Sequence, residues 1–156
     1  MNIEIKSVTG KVLFEYDCED NTIRKTLEEA VRRSAYLGDA YLGDAYLSDA
    51  DLRGADLRGA NLRGAYLSDA YLSDADLGDW GKLQSVSDIL TIGAIGSRDS
   101  YTTLFHTDKG IYVQCGCFNG SLEEFEAKVK QTHQGNKHER DYIAMIEFAK
   151  IKFEIK

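Results

Sequence analysis

Residues 35–79 read AYLGD, AYLGD, AYLSD, ADLRG, ADLRG, ANLRG, AYLSD, AYLSD and ADLGD, which is nine five-residue units without a break. Every unit begins with Ala and has Leu at its third position. On an α-helix, Leu at this spacing would precess by about 140° per unit and form no stripe. On a β-strand, an odd spacing would send successive Leu side chains to opposite faces. The stretch therefore predicts a backbone that turns once in every unit.

Four such units, each forming one side of a square, close a coil of twenty residues. Residues twenty positions apart then stack at roughly 4.8 Å, the spacing of hydrogen-bonded strands. The third-position Leu and first-position Ala would fill the interior, where small and large side chains together leave few voids. At the second position this register predicts that Tyr46 lies over Tyr66, whereas Tyr36, Tyr41 and Tyr71 each stack with an Asp or Asn.

The Ala-(Asp/Asn)-Leu-x-x units resemble pentapeptide-repeat proteins, and the order hairpin, short helix, repeat resembles the small phage- or prophage-associated members. The resemblance implies a right-handed quadrilateral β-helix, here of about two coils. The second position, usually small and polar in the family, points outward. In this chain it is aromatic in five of the nine units, which makes the outer surface unusual; these candidate interaction residues are Tyr36, Tyr41, Tyr46, Tyr66 and Tyr71.

The segments on either side of the repeat predict two flanking units. Residues 1–34 contain two alternating apolar runs around Thr9-Gly10, which indicate a β-hairpin, and then a helix that Asn21 or Thr22 caps. Because the end of a coil exposes apolar side chains and unpaired strand edges, this helix is expected to cover the first coil. The fold class predicted is mainly β, with residues 1–34 as a hairpin-helix cap and residues 35–80 as the repeat domain.

Residues 81–156 are predicted to form an α+β unit. Residues 82–87 suit a short linker, three strands follow, and Asn119-Gly120 is expected to end the last of them. Ser121 and Glu124 have the spacing of a capping box, so a helix should begin there. A second helix is expected from about residue 137 to residue 150, fraying into an extended end.

Charge is concentrated in the repeat. The chain has a net charge of −7, of which residues 35–79 contribute −6, from nine Asp and three Arg. An acidic surface argues against direct binding of nucleic acid or of an anionic membrane, both of which need a basic surface.

No run of 18 apolar residues is present, so no transmembrane helix is expected. Three cysteines, an odd count, favour a reducing compartment and hence a cytoplasmic location.

Candidate chemistry is sparse. Cys115 and Cys117 could bind a metal ion or undergo redox cycling, but Cys18 and the histidines complete no four-ligand motif with them. On a strand the two thiols would face the same side as small buried groups. His133 and His138 flank a turn at no recognised ligand spacing. We therefore expect no enzymatic activity, no catalytic or metal-binding residues, no cofactor and no small-molecule substrate.

Two functions are compatible with these patterns. The first is a non-enzymatic scaffold or protein–protein interaction protein of phage or bacterial origin, which binds an unknown protein partner or forms a homodimer through its outward Tyr. The alternative for the Tyr side chains is that they only support the neighbouring coil or pack on the flanking domains. The second function, implied by the resemblance, is mimicry of DNA toward a topoisomerase such as gyrase. A repeat of about 11 Å matches the rise of roughly three base pairs, which is short for this purpose.

Overall fold

The structure is a computed structural model, and it describes residues 1–83, 88–98 and 100–155. The elements follow in the order β1 (Asn2–Lys6), β2 (Val12–Asp17), α1 (Ile23–Arg32), β3 (Ile89–Ile95), β4 (Ser100–Thr107), β5 (Gly110–Cys115), β6 (Phe118–Ser121), α2 (Leu122–His133) and α3 (Lys137–Lys152). With three helices and two small antiparallel sheets, the chain is a mixed α/β protein, a broader class than the mainly β fold predicted. Residues 84–87 of the predicted linker lie outside the described residues.

The repeat lies between the two sheets and is built from turns joined by single bridges. Parallel bridges connect residues twenty positions apart, such as Tyr41 with Asn61 and Asp51 with Tyr71. Backbone hydrogen bonds of 2.8–3.0 Å accompany these bridges, for example from the Leu47 amide to the Tyr66 carbonyl and from the Tyr66 amide to the Ala45 carbonyl. The predicted register of twenty residues is therefore confirmed.

Each repeat unit turns at its fourth and fifth positions. The Leu carbonyl accepts from the amide of the next unit's Ala at 3.0–3.3 Å in the first eight units. The fifth residue has a positive φ in these units, whether it is Asp, as at Asp49 (60°), or Gly, as at Gly54 (67°). Glycine takes this conformation freely and Asp is among the residues that tolerate it, as in the third position of a type II turn. Asp and Gly thus both occur at the fifth position because both can adopt the positive φ that the turn requires.

The interior of the repeat is a stack of buried Leu and Ala. All nine third-position Leu side chains are at most 5% exposed, and seven of the nine first-position Ala are buried as well. Leu27 and Ala30 of α1 belong to the same core, as does Ile5 of β1. The N-terminal hairpin and helix therefore pack on the first coil. At the opposite end Leu83 and Phe105 join this core, so the C-terminal sheet packs on the last coil.

The capping predictions hold in detail at two helices. Thr22 is the N-cap of α1 and accepts from the Lys25 amide at 3.1 Å, while Asn21 accepts from the Thr22 amide instead. Ser121 and Glu124 form the predicted capping box of α2. Both caps satisfy backbone donors that a helix start leaves free.

The C-terminal unit differs from the prediction in one strand and one helix end. The sheet has four strands in the order β3-β4-β5-β6, and β6 was missed because Asn119-Gly120 looked like the end of a hairpin. Gly120 instead pairs with Val113 inside the sheet. Helix α3 continues to Lys152, and Phe153, 7% exposed, turns into the second core with the apolar faces of α2 and α3. No helix among the described residues is long and apolar enough to cross a membrane.

Candidate functional site: the tyrosine cluster and its groove

The register of twenty divides the second-position residues of the five-residue units into four stacks. The bridges pair Tyr41 with Asn61, Tyr46 with Tyr66 and Asp51 with Tyr71. Consecutive units belong to different stacks, so the five predicted Tyr residues are divided among the four stacks and do not form one continuous surface. Tyr46 and Tyr66 are the pair that the structure brings together.

Tyr46, Tyr66 and Tyr101 form an aromatic group that we call the tyrosine cluster. The rings of Tyr46 and Tyr66 are stacked, with centroids 4.6 Å apart and planes 2° apart. Tyr101 of β4 meets Tyr66 edge-on, with centroids 6.1 Å apart and an angle of 65°. Offset stacks and edge-to-face contacts are both favourable arrangements for aromatic pairs. The three side chains remain 72%, 38% and 42% exposed, in chain order, so the cluster is open to a partner.

The phenol group of Tyr66 has a raised pKa. The hydrogen bond between the phenol groups of Tyr66 and Tyr101, followed by the proximity of the Tyr101 and Tyr46 phenols, raises the pKa of Tyr66 above its ordinary value. The cluster consequently offers hydroxyl groups and apolar ring surface to a ligand.

A groove of about 570 Å³ runs beside the tyrosine cluster, between the last coil and β3. One wall is the repeat backbone around Tyr66, and the other is the first half of β3, which is an edge strand of its sheet. The charged groups in the lining are Asp69 and Lys152, so both signs of charge are available. Its described lining residues are Gly64, Ala65, Tyr66, Leu67, Ser68, Asp69, Ile89, Leu90, Thr91, Tyr101 and Lys152.

The other predicted Tyr residues have local contacts that do not build a site. The Tyr36 ring folds over Gly38 so closely that a Cβ at Gly38 would overlap it. The Tyr41 ring likewise lies near Gly43. Tyr71 lies beneath the Arg53 guanidinium, whose central carbon is 5.9 Å from the ring centroid. The contact of Tyr71 with Arg53 joins stacked units, as the alternative interpretation of outward Tyr predicts, and the contact of Tyr66 with Tyr101 is packing on a flanking unit.

Carboxylates of the repeat are partly neutralised within their own units. Arg53 makes two hydrogen bonds to the Asp51 carboxylate, at 2.8 and 2.6 Å, and Arg58 binds Asp56 in the same way. The hydrogen bond from its Arg lowers the pKa of each Asp, and partial burial opposes part of that shift. Arg63 has Asn61 in place of an Asp and donates instead to the Gly116 carbonyl at 2.8 Å, which ties the coil to the C-terminal sheet.

The cysteines and histidines form a second, smaller candidate site. Cys115 ends β5, whereas Cys117 lies in the turn before β6, so the expectation that both sit on one strand is wrong. Both line a cavity of about 330 Å³ with His133 and Tyr142. Thr102 donates to the Cys115 sulfur at 3.1 Å, and burial, followed by the proximity of Cys115, raises the pKa of Tyr142. Within the described residues, no three His, Cys, Asp or Glu side chains are placed to hold a metal ion.

Sequence reasoning missed half of the groove. Tyr101 and Lys152 are far from the repeat in the chain, and the fold of the C-terminal unit brings them to Tyr66. One signal for Tyr101 was available in the sequence. Tyr101 lies in a predicted strand, and the other face of that strand must cover the last coil. To predict which side of the coil faces this strand, one needs the orientation of the sheet relative to the coil. The sequence pattern carries no information about that orientation.

Comparison with family models supports the reading of the central segment. Residues 35–79 match the model described as pentapeptide repeats, in eight copies. Residues 35–79 are pentapeptide repeats. Comparison of the chain with curated proteins and with solved structures found no match.

The pentapeptide repeats change character in the last unit. In the ninth unit the positive φ moves to the fourth position, Gly78 (73°), and residues Gly78–Trp80 form a 3₁₀ turn. Trp80 then stacks on Tyr112 of β5, with ring centroids 5.4 Å apart and planes 13° apart, and it packs against the core of the repeat. The pentapeptide repeats thus end where the chain leaves the coil and meets the C-terminal sheet.

Proposed function

We propose that this protein is a non-enzymatic scaffold or protein–protein interaction protein of phage or bacterial origin. Its repeats would form a right-handed quadrilateral β-helix that serves as a rigid spacer between the two flanking units. The tyrosine cluster and its groove would bind a protein partner. The proposal includes no catalytic residue, metal or cofactor, and it assigns the protein to the cytoplasm.

The observation that carries the proposal is the stacked pair Tyr46–Tyr66 with Tyr101 at its edge. Tyr is enriched at protein interfaces because it supplies a large, stiff apolar ring together with a hydroxyl group. The adjoining groove adds apolar side chains and two charged groups of opposite sign, Asp69 and Lys152. A mixed surface of this kind suits a protein surface better than it suits a nucleic acid, whose recognition requires mainly positive charge.

The test compares two pairs of substitutions in the pentapeptide repeats. Tyr46→Ser with Tyr66→Ser removes the stack, and Tyr41→Ser with Tyr71→Ser removes the same chemistry from two other sides of the coil. With immobilised protein and bacterial lysate, we expect partners that the unmodified protein captures to be lost with the first pair and kept with the second. Equal capture by both variants would refute the assignment of the tyrosine cluster. Thermal unfolding of each variant establishes that the comparison is between folded proteins.

Mimicry of DNA toward gyrase is a second candidate, and the net charge of −6 in the repeats is the observation that favours it. Two features oppose it. The repeats span little more than two turns of the coil, and the Asp51 and Asp56 carboxylates are already paired with Arg53 and Arg58. Mimicry predicts inhibition of gyrase supercoiling by the intact protein. We expect no inhibition even at high molar excess, and clear inhibition would favour mimicry over the scaffold.

A further inference from the structure

A cavity of about 340 Å³ lies where the chain leaves the coil, and we call it the Gln114 cavity. Its described lining combines the end of the coil interior with residues of the C-terminal sheet, among them Trp80, Gln114 and Asn119. It shares no described lining residue with the groove beside the tyrosine cluster. Its volume is within the range of about 300–1,000 Å³ that is typical of ligand pockets.

Gln114 of β5 has a hydrogen-bond acceptor that is not used. The residue is only 3% exposed, and its Oε1 atom has no hydrogen-bond partner in the part of the chain that the structure describes. Its Nε2 atom donates to the Ala60 carbonyl at 3.5 Å, which is long for a hydrogen bond. An unpaired buried acceptor is unfavourable. Because the bond to Ala60 is weak, the amide group can turn to bring its covered oxygen toward a donor in the cavity.

The Leu62 amide supplies an unused donor in the lining of the same cavity. In four earlier units the Leu amide donates to the carbonyl of the residue nineteen positions later, as from Leu57 to Asp76 at 2.8 Å. For Leu62 that residue is Gly81, whose carbonyl accepts from the Leu77 amide instead. Among the residues that the structure describes, the Leu62 amide therefore has no backbone acceptor. The N–H and C=O groups of an extended peptide are the natural complement of such a donor and acceptor.

Arg63 gives the rim of the Gln114 cavity a positive charge. Arg53 and Arg58 each bind the Asp two residues earlier, whereas Arg63 follows Asn61 and makes no salt bridge with any described residue. One of its guanidinium nitrogens donates to the Gly116 carbonyl at 2.8 Å, which holds the side chain beside the cavity. A guanidinium carries five N–H donors, so others remain for a carboxylate.

The rest of the lining is largely apolar and limits where a ligand can place its charge. Trp80 stands where a tenth unit would begin with Ala, and it leaves the coil to stack on Tyr112. Asp79 also lines the cavity, so a ligand carboxylate is favoured beside Arg63 and disfavoured beside Asp79. The described apolar side chains of the lining are Val8, Leu57, Leu62, Leu77 and Trp80.

We propose that the Gln114 cavity binds an extended peptide segment of a partner protein. The peptide carbonyl accepts from the Leu62 amide, and a peptide N–H donates to the Gln114 oxygen. A large apolar side chain of the peptide contacts Trp80, and a carboxylate pairs with Arg63. Pairing of an extended peptide with unpaired backbone groups at the edge of a β-structure is a common mode of recognition. The contact is short, so the dissociation constant is on the order of 100 μM. This site is independent of the tyrosine cluster.

The first experiment uses the fluorescence of Trp80, the single tryptophan of the chain. The probe is the peptide acetyl-Gly-Ala-Ser-Leu-Asp-Gly-amide, and two control peptides replace its Leu by Ser or its Asp by Asn. We expect a saturable change with the probe and about tenfold weaker binding of each control peptide. Acetyl-leucine amide, which lacks the extended backbone, should also bind about tenfold more weakly. No saturable change up to millimolar probe, or equal affinity for any of these three ligands, would overturn the proposal.

The second experiment changes the two polar groups of the cavity. Gln114→Met keeps the length of the side chain without its acceptor, and Arg63→Gln removes the charge. Both should weaken binding of the probe about tenfold, whereas Arg53→Gln, the matched control, removes the same charge outside the cavity and should leave binding unchanged. Gln114→Met should leave the melting temperature almost unchanged, because an apolar side chain of similar shape replaces an unpaired polar group. Unchanged binding by Gln114→Met, or equal weakening by the two Arg variants, would contradict the proposal.

The third experiment separates binding from a structural role of Arg63. Arg63→Glu should bind the original probe weakly and should recover affinity at least tenfold when Lys replaces the Asp of the probe. A purely structural role of Arg63 predicts weak binding of both peptides. The absence of this recovery in a variant that circular dichroism shows to be folded would rule out pairing of Arg63 with the peptide.

Discussion

The fifth position of a repeat unit decides whether the backbone can turn. Gly54 and Gly59 both have a positive φ, of 67° and 71°. They differ in their surroundings, because a Cβ at Gly54 would meet no atom within 4 Å, whereas one at Gly59 would overlap the Asp39 carboxylate from the neighbouring coil. The two positions therefore separate backbone strain from steric overlap.

Gly54→Ala should lower the free energy of unfolding by about 1–2 kcal/mol, the usual cost of a left-handed conformation for a residue with a Cβ. Gly59→Ala should cost roughly 1 kcal/mol more, because the Asp39 side chain must leave its preferred rotamer. Urea unfolding of both variants measures the difference. When Asp39 is also replaced by Gly, the additional destabilisation caused by Gly59→Ala should disappear. If it persists, the overlap involves a group other than Asp39.

The second position has two alternative roles. In units with Asp or Asn there, the side-chain oxygen accepts from the amide two residues later, as from Arg63 to Asn61 at 3.0 Å and from Gly78 to Asp76 at 2.8 Å. A phenol ring has no acceptor that reaches this amide. Units with Tyr therefore lack this side-chain hydrogen bond, although the backbone bond from the next Ala amide to the Leu carbonyl is kept. Their Tyr side chains offer outward aromatic surface instead.

Tyr41→Asn should raise the free energy of unfolding by about 1 kcal/mol, since it restores this hydrogen bond to the Gly43 amide. Tyr41 is 54% exposed, so little buried surface is lost. Tyr41→Ala provides the control, because it removes the ring without supplying an acceptor. If Asn and Ala give the same denaturation midpoint, the hydrogen bond makes no net contribution.

At the scale of elements, the end of α1 is fixed by a carboxylate shared between two arginines. Glu29 accepts from Arg32 at 2.6 and 2.7 Å and from Arg33 at 2.6 Å. The hydrogen bond from Arg32, more than that from Arg33, lowers the pKa of Glu29 to about 2. Because the helix leads directly into the first coil, this group sits at the junction of two elements.

Stability should depend on the ionisation of Glu29 in a defined pH window. A carboxyl whose pKa is lower in the folded chain stabilises the fold above its unfolded pKa of about 4.3 and loses that contribution as pH falls toward 2. Glu29→Gln should therefore lower the urea midpoint at pH 7 slightly, and the gap should close between pH 4.5 and pH 2. If the difference in urea midpoint between the two proteins does not change with pH, the charge on Glu29 is not the cause of that difference. The effect is small because the side chains of Arg32 and Arg33 are exposed and solvent screens their charges.

At the scale of the whole molecule, the sequence predicted the parts that depend on local periodicity. Period five with Leu and Ala predicted the register of twenty, and spaced cap residues such as Ser121 and Glu124 predicted helix starts. It did not predict β6, because Asn119-Gly120 is a turn signal that tertiary pairing with β5 overrides. Neither did it predict Tyr101 or Lys152 in the groove, since their approach to Tyr66 depends on how the C-terminal sheet is oriented on the coil.

Packing at both ends makes the molecule one continuous structure. The α1 side chains Leu27 and Ala30 cover the first coil, and Leu83 and Phe105 cover the last. The angular position of the C-terminal sheet relative to α1 is consequently set by the number of repeat units between them. Adding four units leaves that angle unchanged, whereas adding one unit changes the angle between the C-terminal sheet and α1.

The central claim is that twenty residues make one turn of the coil. The most direct test compares the melting temperatures of two insertions in the repeat, a duplication of residues 40–59 and a duplication of residues 50–54. A whole extra coil extends the core with the same stacked contacts and keeps both end covers in place. We predict that the twenty-residue duplication melts cooperatively at or above the temperature of the unmodified chain and that the five-residue duplication melts well below it. Equal melting temperatures for the two, or a lower one for the longer duplication, would contradict the account.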